Sequence, residues 1–281
     1  MLDMVRGAAL LLALPLLAAP ATAQTEMKNN FVSSIELCNR MDRTALDARI
    51  SGCTMLIDGG YGTTSTLAIA HNNRGIAYIA KGDLDRAIED FDRSIKLDRT
   101  YVKPLNNRGV ALLKKGEYDL AIEAFDEAIR LKPGYGNAYA NRAGAYLKKH
   151  DHARAAQDYD EAIRLNSGLD AAWLGRCWTQ AVSGELPAAL EICNRALQTD
   201  LDAASAHDSL GLIHLKMGQP AAAIDDYSAA LRINPKLASA LYGRGLARLR
   251  MGDQAGSDAD ISAAKEIAAG IGDDFARYGV Q

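Results

Sequence analysis

Four cysteines and five histidines are the residues of this 281-residue chain that could form cross-links or bind a metal ion. No two cysteines have the Cys-x-x-Cys spacing that a dithiol redox centre or a zinc tetrathiolate needs. His150 and His152 are two residues apart, which is not the spacing of two ligands on one helix face. No phosphate-binding loop, dinucleotide fingerprint or hydrolase motif occurs either. The sequence therefore predicts no metal, no cofactor and no enzymatic activity.

Arginines at a regular spacing could together bind a phosphate or a carboxylate. These arginines are Arg74, Arg108, Arg142, Arg176 and Arg244. An aspartate follows each of the first three after 18 residues, at Asp92, Asp126 and Asp160. If the chain turns back between each arginine and its aspartate, the two charges meet. We therefore expect structural ion pairs, Arg74 with Asp92, Arg108 with Asp126 and Arg142 with Asp160, rather than an anion site.

The arginine spacing belongs to a 34-residue period that covers most of the chain. Gly75 and Gly109 lie one period apart, and each is followed after 16 residues by a phenylalanine, Phe91 or Phe125. The period predicts six repeats without insertions. Their ranges are 68–101, 102–135, 136–169, 170–203, 204–237 and 238–271.

Each repeat has the pattern of two helices joined by a turn. Small and apolar residues stand at positions 4, 8 and 11 and again at 20, 24 and 27, and these steps place each set on one helix face. Between the sets lies a turn such as Gly82-Asp83, where glycine can end the first helix. A hairpin of this kind buries both faces only by stacking on its neighbours. The predicted fold class is all-α.

The repeat resembles the tetratricopeptide repeat (TPR) family over residues 68–271. The resemblance is carried by residues such as Asn73-Arg74-Gly75, Phe91, Gly109, Pro133 and Trp173. It implies an α–α superhelix of antiparallel helix hairpins whose first helices line a concave groove, and a role in binding proteins or peptides. The fourth repeat departs from the pattern, because Cys177 and Cys193 replace the glycine and the aromatic residue.

The resemblance places positions 2, 5, 6, 9 and 13 of each first helix on the concave wall. Asparagine there offers donors and acceptors to an extended peptide backbone, lysine adds positive charge and tryptophan adds a flat apolar contact. The predicted peptide-binding residues are Asn72, Asn73, Lys103, Asn106, Asn107, Asn141, Lys148 and Trp178. Lysines near helix C-termini could equally complement the helix dipole.

The repeat register suggests a pairing for the four cysteines. In a hairpin that turns near position 15, position 8 faces position 24, and Cys177 and Cys193 occupy these two positions. Cys38 and Cys53 have a similar separation in the segment before the repeats. We predict the disulfides Cys38–Cys53 and Cys177–Cys193. The alternative is four buried free thiols that act as small apolar side chains.

The first 23 residues have the pattern of a signal peptide. Arg6 precedes an apolar run over residues 8–19, and Ala21-Thr22-Ala23 matches a signal-peptidase site. The run is shorter than the roughly twenty residues that a membrane-spanning helix needs. A short buried helix is the alternative. We predict cleavage after Ala23, a mature chain that begins at Gln24, a periplasmic or secreted location and no membrane insertion after cleavage.

The remaining segments are predicted to close the ends of the repeat array. Residues 24–67 fit a degenerate N-terminal capping hairpin, and residues 272–281 fit a C-terminal capping segment. A net charge of −3 and a pI near 6.0 argue against nucleic acid as a partner.

The sequence as a whole predicts a non-enzymatic scaffold of the cell envelope that binds an extended protein or peptide segment in its concave groove. The alternative is a structural assembly subunit that packs on its partner through its convex or terminal surfaces.

Overall fold

The computed structural model describes residues 21–40, 42–60, 62–197 and 203–280. These ranges contain fifteen α-helices and one short 3₁₀ turn, with no strand among them. The predicted all-α fold class is confirmed. Residues 1–20, which form most of the predicted signal peptide, lie outside the described residues. The first helix is described from Ala21 onward, and the predicted cleavage point after Ala23 falls within its described range.

The described chain forms two compact units, and the first unit ends at Gly134. Its helices pack in sequential order, each against the next. They are α1 (Ala21–Cys38), α2 (Leu46–Asp58), α3 (Thr64–Lys81), α4 (Leu84–Leu97), α5 (Val102–Lys115) and α6 (Tyr118–Leu131), with the 3₁₀ turn Arg43–Ala45 before α2.

The second unit begins at Tyr135 and is again a sequential stack of helix hairpins. Its helices are α7 (Gly136–Lys148), α8 (His152–Leu165), α9 (Asp170–Ser183), α10 (Leu186–Ala196), α11 (Ala203–Lys216), α12 (Pro220–Ile233), α13 (Ala238–Arg250), α14 (Gln254–Ile267) and α15 (Ile271–Arg277). Among the residues that the structure describes, no helix is long and apolar enough to cross a membrane.

The turn inside each hairpin has the structure that the glycine pattern predicts. Gly82 ends α3 with a φ of 81°, and the Asp83 side chain then accepts a hydrogen bond from the Arg86 amide at the start of α4. Glycine reaches this left-handed conformation without the steric cost that a Cβ imposes. In the third repeat His150 stands at this position, with a φ of 59°, and Asp151 caps the following helix.

The two helices of a hairpin are in close contact where position 8 faces position 24. A Cβ added to Gly75 would lie 2.7 Å from the Phe91 ring, and one added to Gly109 would lie 2.5 Å from the Phe125 ring. Both phenylalanines are fully buried. The glycine therefore lets the aromatic ring of the second helix rest directly on the backbone of the first.

Both predicted disulfides are present in the structure. Cys38 joins Cys53 across α1 and α2, and Cys177 joins Cys193 across α9 and α10. The paired Cα atoms are 4.6 and 4.9 Å apart. In the fourth repeat the bond occupies the two positions that a glycine and an aromatic ring fill in the first, second and fifth repeats. The alternative of four free thiols is excluded in this structure.

The predicted ion pairs had the wrong partners. Arg74 donates from Nε and Nη2 to the Asp90 carboxylate at 2.8 and 2.9 Å, not to Asp92. Asp92 instead accepts from Arg108 of the following hairpin at 2.7 Å. In the second unit the same arrangement recurs, with Arg142 on Asp158 and Arg176 on Asp160.

The error has a geometric cause. Two residues along an α-helix correspond to a rotation of about 200°, so positions 23 and 25 point in opposite directions. Position 23, occupied by Asp90, faces the first helix of its own hairpin, whereas position 25, occupied by Asp92, faces the next hairpin. Burial alone would raise the pKa of Asp90, but hydrogen bonds from Arg74 and His71 outweigh it and lower that pKa. These arginines therefore connect the helices of one hairpin or of two successive hairpins.

The Cys177–Cys193 bond should contribute measurably to stability. Replacing both residues with alanine should lower the free energy of unfolding by about 3 kcal/mol, since the bond closes a loop of some 16 residues and restricts the unfolded chain. Urea denaturation of the oxidised wild type and the double variant measures the difference. An unchanged midpoint would contradict the prediction. Intact mass spectrometry is the control, because two disulfides make the oxidised wild type lighter by four hydrogen atoms, two per bond.

Candidate ligand-binding surfaces

An asparagine ladder crosses the first helices of the first unit. The Asn73 amide donates to Asn39 Oδ1 at 3.0 Å, and the Asn107 amide donates to Asn72 Oδ1 at 2.9 Å. Asn72 donates to Asn73 Oδ1 at 3.3 Å, and Asn106 donates to Asn107 Oδ1 at 3.4 Å. Side-chain amides thus link three successive hairpins.

The ladder divides the predicted peptide-binding asparagines of the first unit into two groups. Asn72 and Asn106 are 2% and 6% exposed, so they lie beneath the surface that a ligand could contact. Asn73 and Asn107 are partly exposed and are the members that a ligand can reach. Their amides also hold the neighbouring asparagines in place, which couples any ligand contact to the stability of the stack.

The other predicted contact residues are divided between the two units. Lys103 is exposed on α5 and lies four residues before Asn107, which puts both on the same helix face. Asn141 is partly buried in α7, and Lys148 is exposed at the end of that helix. Trp178 is half-buried on α9 in the second unit.

A cavity of about 590 Å³ lies along the first helices of the second unit. Its lining repeats the same helix positions in successive hairpins, mainly 2, 5, 6 and 9. The residues from these helices are Leu147, Ala171, Leu174, Gly175, Trp178, Ser205, Asp208, Ser209, Ala238 and Ser239. We call this surface the first-helix wall. It is where the sequence predicted ligand contacts, and it contains one of the predicted residues, Trp178.

The wall has glycine at position 6 where the preceding hairpin carries a tyrosine at position 24. A Cβ added to Gly175 would lie 2.1 Å from Tyr159 Cζ, and one added to Gly243 would lie 2.2 Å from Tyr227 Cζ. The tyrosine ring thus reaches through its own hairpin to the next first helix. Burial raises the pKa of both phenols, so they stay neutral. Because glycine has no side chain, position 6 leaves open space on this surface. Gly175 is one of the residues that line the cavity.

The C-terminal segment, residues 271–280, forms the opposite side of the cavity. Tyr278 meets Trp178 of α9 edge to face, with ring centroids 5.3 Å apart, and Phe275 packs on Tyr242 of α13 at 4.9 Å. Ile271 and Asp274 also line the cavity. The predicted capping segment therefore extends back along the first-helix wall to the fourth repeat, beyond the last repeat that we expected it to cover.

Two carboxylates give the cavity its charge. Asp208 is 7% exposed, and Ser239 Oγ donates to its Oδ2 at 2.6 Å. Asp274 forms an ion pair with Arg277 within the C-terminal segment. Burial raises the pKa of the Tyr278 phenol, and the negative charge of Asp274 raises it further.

Sequence reasoning missed Asp208, Ser239 and Tyr278 as members of this surface. The signal for the first two was available, because they occupy wall positions 5 and 2 of the fifth and sixth repeats. Tyr278 lies outside the period, so the repeat register could not place it.

Comparisons with known proteins agree with this architecture. Models described as tetratricopeptide repeat match residues 68–101, 102–135 and 141–206, and a model described as TPR repeat matches residues 216–252. The chain belongs to the tetratricopeptide repeat family. The comparison with curated proteins gave no match.

Solved structures share this fold at low sequence identity. A TPR protein from Parabacteroides merdae is similar with a TM-score of 0.68 and 17% identity, over 89% of this chain and 99% of that one. PilW, a type IV pilus biogenesis factor, is similar with a TM-score of 0.64 and 16% identity, over 71% of this chain and 93% of that one. The Cut9–Hcn1 structure is similar with a TM-score of 0.69 and 15% identity, over 88% of this chain and 52% of that one.

The ladder should contribute to the stability of the first unit. Asn107→Ala removes the amide that donates to buried Asn72 Oδ1, so it should lower the free energy of unfolding by about 1–3 kcal/mol. Urea denaturation measures the loss. Asn137→Ala is the matched control, because Asn137 is an exposed helical asparagine and the same change in helix propensity applies. Equal losses of unfolding free energy in the two variants would contradict a structural role for the ladder.

Proposed function

We propose that this TPR protein is a non-enzymatic scaffold of the cell envelope that binds a segment of a protein partner along its first helices. One observation carries the proposal. The predicted contact positions of three successive hairpins line a single cavity in the second unit, of a size common for binding sites.

The C-terminal segment shows what kind of chain this wall can accommodate. Ile271, Phe275 and Tyr278 are spaced as i, i+4 and i+7, so they lie on one face of a short helix. That face packs against the first-helix wall. A partner segment with apolar and aromatic side chains at the same spacing would find the same type of surface.

The polar groups of both surfaces favour binding over catalysis. Asparagine amides in the first unit hydrogen-bond to one another, and Asp208 in the second unit accepts from Ser239. Groups of this kind hold a fixed pattern of donors and acceptors, which selects a ligand by complementarity. In the first unit, Lys103, Asn73 and Asn107 are the residues that we propose to contact the partner. Asn141, Lys148 and Trp178 are their counterparts in the second.

Site-specific photo-crosslinking in the native host tests the location of the partner. A photoreactive residue at Ala171 stands at the cavity on α9, whereas one at Glu191 is exposed on α10 of the same hairpin. We expect a discrete protein adduct at Ala171, identified by mass spectrometry, and several-fold less of it at Glu191. Lys103 and Glu127 form the corresponding pair in the first unit.

The opposite result has a defined meaning. Adducts at Glu191 and Glu127, with none at Ala171 and Lys103, would refute groove binding and support the assembly-subunit alternative. Exposed apolar residues at the ends of second helices, Leu131, Ile233 and Ile267, are the observation that favours this alternative.

The envelope location is supported by two independent features, the signal-like residues 1–23 and the two disulfides. Disulfides form and persist in oxidising compartments. We expect the protein isolated from its host to begin at Gln24 and to have no free thiol. N-terminal and intact mass spectrometry of the fractionated protein measure both. A chain that retains residues 1–23 and four thiols would contradict export.

A further inference from the structure

The C-terminal segment, residues 271–280, covers part of the first-helix wall of the second unit. Ile271 and Phe275 are buried in the same apolar cluster as residues of α11 and α13. The Tyr278 ring meets the Trp178 ring of α9. The segment therefore reaches from the sixth repeat back to the fourth, across the surface on which we propose that the partner binds.

The contact between Tyr278 and Trp178 sets the segment in competition with a partner. Trp178 is the residue of this wall that the sequence predicted to contact a ligand. Ile271, Asp274 and Tyr278 line one side of the cavity, and residues of α9, α11 and α13 line the other. A partner side chain that takes the place of Tyr278 on the Trp178 ring therefore requires the segment to move away.

The segment has little stability of its own. Its helix α15 has seven residues, fewer than an isolated helix needs in water. The Val280 amide donates to the Phe275 carbonyl at 3.0 Å, and Asp274 pairs with Arg277, so these contacts are made within the segment. The order of the segment therefore depends on the apolar contacts of its side chains with the wall.

A loosely packed junction joins the segment to the repeats. Helix α14 ends at Ile267, and residues 268–270 lead into α15. A Cβ added to Gly270 would have no heavy atom of another part of the chain within 4 Å. Rotation about the backbone of this junction would therefore move the segment while α14 stays in the stack.

We propose that residues 271–280 are an autoinhibitory strap. In the unbound chain the strap occupies the wall, and it leaves when a partner segment with apolar or aromatic side chains at positions i, i+4 and i+7 binds there. The partner has to offset the lost contacts of the strap, which lowers its apparent affinity and favours partners that match the wall closely. The proposal rests on the proposed function, because strap and partner compete for the same surface.

The alternative is a permanent cap that only closes the end of the stack. The two differ in a measurable way. A strap excludes a ligand from the wall until it is released, whereas a permanent cap does not compete with a ligand.

The test uses the full mature chain and a peptide copy of the strap. The probe is a blocked synthetic peptide with the sequence of residues 270–281. Phe275→Ala with Tyr278→Ala forms the released variant, because both side chains contact aromatic rings of the wall. Asp273→Ala with Arg277→Ala is the matched control, because both side chains are exposed in the same segment.

Trp173→Phe in each chain leaves Trp178 as the single tryptophan, so its fluorescence reports binding beside the strap. We expect the peptide to bind the released variant about tenfold more tightly than the control variant, because the strap of the control competes at a high effective concentration. A scrambled peptide of the same composition should bind neither variant. Circular dichroism checks the fold, and Tyr278→Ala alone, at a partly buried residue, replaces the released variant if that variant unfolds.

Photo-crosslinking at Ala171 in the native host extends the test to the partner itself. With the photoreactive residue at this position, the released variant should give several-fold more protein adduct than the control variant. The reason is that the wall of the released variant is open before the partner arrives.

Two results would overturn the proposal. The first is equal affinity of the peptide for the released and control variants, or no affinity for either. The second is an adduct at Ala171 that is unchanged or weaker in the released variant, which would identify a permanent cap. An adduct that release does not change refutes the strap and leaves the proposed function intact. Absence of an adduct at Ala171 in every chain refutes the proposed function, and the peptide titration still decides whether the strap leaves the wall.

Discussion

The close contact between position 8 of the first helix and position 24 of the second is the constraint on which each hairpin depends. Gly75 with Phe91, Gly109 with Phe125 and Gly211 with Tyr227 all leave no room for a Cβ. Repeat four meets the same constraint with a covalent bond, Cys177–Cys193. An aromatic ring packed on a glycine and a disulfide both hold the two helices at short range. The 34-residue period therefore continues through the fourth repeat without an insertion.

The choice of aromatic residue at position 24 also shapes the next hairpin. Phe91 and Phe125 are each followed, in the next first helix, by an asparagine at position 6. Tyr159 and Tyr227 are longer, and position 6 of the following helix is glycine, because their rings occupy that space. After these two tyrosines, the next first helix therefore carries glycine at position 6 in place of an amide side chain.

The sequence alone was sufficient to predict the contacts that follow directly from the 34-residue period. The glycine turns of five repeats follow from a fixed position of the period, and the Cys177–Cys193 pair follows from two positions that face each other in every repeat. Contacts that depend on helix rotation were predicted less well, since Arg74 binds Asp90 and not Asp92. The meeting of Tyr278 with Trp178 joins residues 100 positions apart, one of them outside the period, and only tertiary packing determines it.

The disulfide of the fourth repeat links the stability of the fold to the candidate site. Cys177 immediately precedes Trp178, so the covalent bond to α10 fixes the turn of α9 that carries the ring. Reduction would leave two small thiols in a hairpin that has neither the glycine nor the aromatic residue, and that hairpin supplies four of the cavity's lining residues. The geometry of the wall therefore depends on the oxidised state of Cys177 and Cys193, because their bond fixes the turn of α9 that carries the Trp178 ring.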